Sequence, residues 1–194
     1  SSNEAVKWED VFDEGQLMTG RQSKYNYIAD RTFLRPRDII QFSNEIITQH
    51  KLNTERHEKI DNKEINDAKL EYSRYFIDEL DDEIHKHIPE YEKILDVIKN
   101  IGYYQFDSND FQASFGAKKG LFSEKATITG ALRSLFEFSI IGYYKLGGSG
   151  YGGSEYVFRY KDNRAQFDEN AKLYRVHPGL IETLGLKRST KTKE

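Results

Sequence analysis

Cysteine is absent from the 194 residues. That excludes disulfides, thiolate zinc sites and cysteine nucleophiles together. No run approaches the ~20 apolar residues that a membrane-spanning helix needs. No charged-then-apolar start marks a secretory signal. A cytoplasmic chain with no membrane partner is expected. The P-loop pattern G-x-x-x-x-G-K-[ST] is missing. Its nearest approach, Gly116-Ala117-Lys118-Lys119-Gly120, has no Lys-Ser/Thr after the second glycine. H-E-x-x-H and Ser/His/Asp arrangements are missing too, so the chain by itself is expected to be no enzyme. His85 and His87 are two residues apart, and on a helix that spacing points them to different faces. No metal site is expected from them.

Hydrophobic residues reach only 37%, below the usual ~45–50%. Thirteen Tyr and twelve Phe compensate, because aromatic rings bury large areas. The chain should therefore be globular, with one ordinary domain or two small ones. The net charge of −3 hides an asymmetry. Residues 1–102 carry 15 Lys+Arg against 22 Asp+Glu, and residues 103–194 carry 14 against 10. The second half is the more tolerant of an anionic partner. The first residue is Ser rather than Met, which suggests a trimmed chain or a piece of a longer protein.

Apolar spacing predicts mostly helix. Trp8, Val11 and Phe12 suggest a short turn, and Tyr25, Tyr27 and Ile28 a second short piece. Pro36 fits the first turn of a helix over 36–49, with Ile39, Ile40, Ser43, Ile46 and Ile47 on one face. Ile65, Ala68, Tyr72, Phe76, Leu80, Ile84 and Ile88 recur every three or four residues, which predicts one long helix over 55–87. Tyr91, Ile94, Leu95, Ile98 and Ile101 form the next apolar face, ended by Gly102. Ser108 is placed to cap a helix through Phe115, and Ser123 a helix over 124–138. Two aromatic and β-branched runs, 140–146 and 155–160, flank a glycine-rich stretch and predict a hairpin. A short terminal helix is expected around Leu180, Ile181 and Leu184.

This order predicts a mainly α, α+β chain: a helical lid-like bundle over 1–87, then a winged helix-turn-helix with a β-hairpin wing over 88–186. A frayed tail over 187–194 is expected to follow. Gly148, Gly150 and Gly153 match G-x-G-x-x-G, but the dinucleotide mechanism needs a helix after the glycines. Here a strand is expected there, so the segment reads as a wing.

In the winged helix, Lys118 and Lys119 precede the candidate recognition helix, whose outward residues include Lys125, Thr129 and Arg133. With Tyr151 on the wing, these are the candidate nucleic-acid contacts. Glu124 and Glu137 oppose the cations, and the charge count favours contact with protein over contact with DNA.

The run Arg31-Thr32-Phe33-Leu34-Arg35-Pro36-Arg37-Asp38 is unusual. A helix N-terminus carries about +0.5 of a charge, which disfavours cations there. Two accounts stand. Arg37 pairs with Asp38 or the acidic long helix, or the arginines meet an anion such as phosphate.

The segment RTFLRPRDIIQFSN resembles the lid of prokaryotic P-loop ATPases of the STAND, KAP and AAA-plus kind. There a Pro-Arg pair opens a lid helix, and the Arg senses the γ-phosphate bound to the neighbouring core. The resemblance implies that Arg37 is the sensor, with Arg35 as the other candidate, and that Pro36 sets the helix start and Asn44 ends the motif. Trp8…Phe12, Tyr72-Ser73, Phe158-Arg159-Tyr160 and Val176-His177-Pro178-Gly179-Leu180 resemble the same group. The Walker A and B core is missing. The resemblance therefore implies a non-catalytic regulatory C-terminal region with no cofactor of its own. ATP and Mg²⁺ would belong to an upstream nucleotide-binding core, its first partner. DNA and a second copy of the chain stay open as further partners.

Overall fold

The computed structural model describes residues 5–54, 58–88, 90–147 and 153–188. The chain divides into two compact units, 1–75 and 76–194. Among the described residues no helix is long and apolar enough to cross a membrane.

The first unit is helical. Helix α1 is Trp8–Val11, α2 Lys24–Ala29, α3 Pro36–Leu52 and α4 Asn62–Ile84, the last running on into the second unit. Trp8 stacks on Phe12 with ring centroids 3.8 Å apart. The Trp8 indole donates to Glu14 at 2.6 Å. Helix α2 is capped by Ser23, whose hydroxyl accepts the Asn26 amide. Phe42 and Ile46 of α3 and Ile65, Ala68 and Tyr72 of α4 are buried, and Phe42 stacks on Tyr72 at 4.2 Å.

Two expectations shift here. The inward face of α3 is Phe42 and Ile46, while Ile40 and Ile47 are exposed. Phe42 lies four residues before Ile46, so the larger ring sets the helix's rotation. The long helix starts at Asn62 rather than 55. Glu64, itself buried, explains the start. Its carboxylate accepts the Asp61 amide at 2.9 Å and the Asn53 amide group at 3.0 Å, with His50 Nδ1 at 3.3 Å. This ties Asn53 and Asp61 to the start of α4, with the carboxylate at the helix's positive end.

The apolar stripe expected along α4 is otherwise as built: Ile65, Ala68, Tyr72, Phe76, Leu80 and Ile84 are all buried. The helix ends at Ile84. His85 and His87 therefore lie in the following turn, not on a helix.

The second unit is mixed. Helix α5 is Tyr91–Ile101, β1 Gln105–Asp107, α6 Ser108–Ala117, α7 Ile128–Glu137, β2 Ile141–Lys145, β3 Glu155–Val157 and β4 Leu173–Val176. Tyr91, Ile94, Leu95, Val97 and Ile98 form the buried face of α5. Gly102 ends the helix at φ +76°, in the left-handed region where a side chain is disfavoured.

Asp107, not Ser108, caps α6. Its carboxylate accepts the amides of Asn109 and Asp110, and Asp110 reciprocates at 3.3 Å. Thr127, not Ser123, caps α7, accepting the Gly130 amide at 3.0 Å. Ser123 is held elsewhere, donating its amide to Glu90 at 2.7 Å. Helix α7 thus begins at 128 rather than 124.

The sheet is antiparallel throughout, in the order β1-β4-β2-β3. The expected hairpin is present as β2 and β3, with Tyr144 opposite Tyr156. Strands β1 and β4 add to it, with Gln105 opposite Arg175. The expected terminal helix is a single 3-10 turn, Pro178–Leu180. Lys187 bridges back to Tyr103, its amide donating to the Gly102 carbonyl at 2.9 Å. The order is helix, strand, helix, helix and then three strands, around a four-stranded antiparallel sheet. It sits in a mixed α+β chain.

Candidate functional site

The arginine-rich segment is held from below. Arg31 is buried, and its guanidinium donates to the Tyr27 hydroxyl at 2.9 Å and lies over that ring. The Tyr72 hydroxyl donates to the Arg31 carbonyl at 3.2 Å. Burial and then Asp38 push the Tyr72 phenol well above its ordinary pKa, so it stays a donor at physiological pH. Thr32, also buried, accepts the Leu34 amide at 3.1 Å and donates to the Ala29 carbonyl. Asp38, only 2% exposed, accepts the Phe33 amide at 3.3 Å.

Leu34 takes φ +57°. A leucine in that region is strained by roughly 1–2 kcal/mol, so the surroundings over-determine the turn. Strain of this kind clusters at ligand clamps and switch regions.

Arg35 and Arg37 stand on this support. Arg35 is the N-cap of α3 and gives no side-chain cap, and its guanidinium lies 5.4 Å from the centroid of the Phe33 ring. Pro36 and Arg37 open the helix. The Arg37 Nε lies 3.8 Å from an Asp38 oxygen, while its side chain is 54% exposed. Asn44 is also exposed, two turns along α3.

The nucleic-acid candidates are scattered in role. Lys119 donates to the Ala126 carbonyl at 2.5 Å and lies over the Phe115 ring, so it ties the turn before α7. Lys118 is the C-cap of α6 and half-buried. Lys125 and Thr129 are exposed. Arg133 pairs with Glu169 and approaches the Phe167 ring. Tyr151, and with it Gly148 and Gly150, lies outside the described residues. Among the described residues no group of three His, Cys, Asp or Glu is placed to hold a metal ion. Arg159 and Arg164, which approach Arg133 in space, carry no local motif; only the fold brings them there.

Residues 1–81 match the family described as the FunZ-associated C-terminal helical domain. The first part of the chain is thus similar to a C-terminal helical domain associated with FunZ. No curated protein and no solved structure matches the chain.

Proposed function

We propose that the chain is a non-catalytic regulatory C-terminal region of a P-loop ATPase. In this reading Arg37, with Arg35 beside it, meets the terminal phosphate of a nucleotide held by an upstream core. One observation carries the reading: a half-exposed guanidinium at the second position of α3, on a turn fixed by Arg31, Thr32 and Asp38. The match to a C-terminal helical domain agrees with a region that follows a core.

ATP and Mg²⁺ would be held by that core, since the chain has no P-loop run of its own. The contribution of this chain is charge and geometry. A guanidinium offers five donors in a planar fork that suits phosphate oxygens. The pre-set turn lets those donors form without reordering the backbone. A contact made with the triphosphate and lost with the diphosphate has different free energies in the two states. Such a difference is what a switch requires.

The test is ATP turnover of the full-length protein carrying Arg37→Ala. Losing one preorganised donor should lower turnover at least about tenfold, and Arg37→Lys should restore part of it. Unchanged turnover with unchanged nucleotide affinity removes the sensor role.

A second reading is a winged-helix DNA-binding module. The exposed Lys125 just before α7 and Thr129 on it favour it. Salt-dependent binding to duplex DNA would be its signature.

A further inference from the structure

A polar cleft of about 640 Å³ lies beside the second half of α7. It is lined by Arg133, Glu137, Arg159, Asn163, Arg164 and Gln166, with the Phe167 ring at its wall. Three guanidiniums and two amides thus converge around one lining carboxylate.

Each charged partner is on the surface. Arg133 pairs with Glu169, both more than half exposed. Arg159 holds the Ala165 carbonyl and keeps its Nε 3.6 Å from Glu137. Arg164 is exposed, and its amide closes a turn on the Asp162 carboxylate at 2.9 Å. Solvated ion pairs of this kind contribute at most ~1 kcal/mol. A phosphate oxyanion therefore displaces Glu137 and Glu169 at small cost. A carboxylate also uses few of the five donors on each guanidinium.

We propose that this cleft is a phosphate-binding site, and that the phosphates it takes are those of a nucleic-acid backbone. One observation favours the backbone over a free phosphate. Thr129, Arg133 and Glu137 follow one another at four-residue spacing, so they share the exposed face of α7 that leads into the cleft. Arg159 and Arg164 then add two phosphate contacts to the exposed side of α7.

The experiment uses the whole chain and a short fluorescein-labelled DNA duplex, with binding followed by anisotropy over a salt series. Arg164→Ala should lower the slope of log K against log salt by about one, and Arg159→Gln with Arg164→Ala by up to about two. Circular dichroism checks that each variant is folded. Glu169→Gln should tighten binding several-fold, because it removes the competitor for Arg133; a merely structural ion pair predicts no gain. Inorganic pyrophosphate is the second probe. Pyrophosphate binding that Arg164→Ala abolishes, with no duplex binding, keeps the phosphate site but overturns the nucleic-acid source. No binding of either probe at low salt, or an unchanged slope in Arg164→Ala, overturns the proposal.

Discussion

Asp38→Ala tests whether the arginine turn is held by one buried carboxylate. Asp38 is 2% exposed, accepts the Phe33 amide and sits in the first turn of α3. Losing a hydrogen bond to a charged acceptor costs about 1.5–3 kcal/mol. Losing an acid from the first turn of a helix costs a further ~0.3–1 kcal/mol. The expected loss is therefore about 2–4 kcal/mol, a large part of the stability of an ordinary domain. Asp38→Asn keeps an acceptor without the charge and should lose about half as much. Urea denaturation of the three proteins measures this through the midpoint at an unchanged slope. Asp38→Ala within about 0.5 kcal/mol of the parent would refute the reasoning, as would Asp38→Asn being as damaging as Asp38→Ala.

Two further outcomes follow from the packing and the charges. At Gly142 of β2 an added Cβ would lie 2.6 Å from the Val157 carbonyl and 2.7 Å from the Phe158 ring. Gly142→Ala should then cost ~1–3 kcal/mol, whereas Gly116→Ala, with open space in α6, should be neutral or stabilising by thermal melting. Burial alone would raise the pKa of Glu64, but hydrogen bonds from Asp61, Asn53 and the local backbone hold it down to about 2. A lowered acid gives stability above its unfolded value of 4.5 that is lost as pH falls toward 2. Asp61 shifts the other way, raised first by its hydrogen bond to Glu64. Its smaller contribution is present below its unfolded pKa and lost as pH rises. The destabilisation caused by Glu64→Gln should therefore shrink between pH 5 and pH 2. A constant difference over that window would contradict the assignment.

What the sequence discloses follows physical range. The stripe along α4 is legible because its period is local, and so is the end of α5 at Gly102. The hairpin is legible because Tyr144 and Tyr156 sit in β-rich runs on either side of glycines. Helix starts are less so. Ser123 and Thr127 are equally good caps by residue type, and the choice falls to Thr127 because Glu90, more than thirty residues away, holds both the Ser123 hydroxyl and its amide. The start of α4 depends likewise on Asn53 and His50 reaching Glu64. Strands β1 and β4 are three and four residues long and draw their stability from each other and from β2. Only the alternation Leu173-Tyr174-Arg175-Val176 hints at one of them.

The arginine segment stands out in sequence because cations at a helix start contradict the helix dipole. Its support by Arg31, Tyr27 and Asp38 is tertiary, and so is the approach of Arg159 and Arg164 to Arg133.

The central claim, that the turn before α3 meets a terminal phosphate, is tested most directly by hydrogen–deuterium exchange on the full-length protein. Amides over 33–39 should gain protection with a non-hydrolysable triphosphate, and little with the diphosphate. Arg37→Ala should erase the difference. Equal protection with both nucleotides, or none with either, contradicts the account.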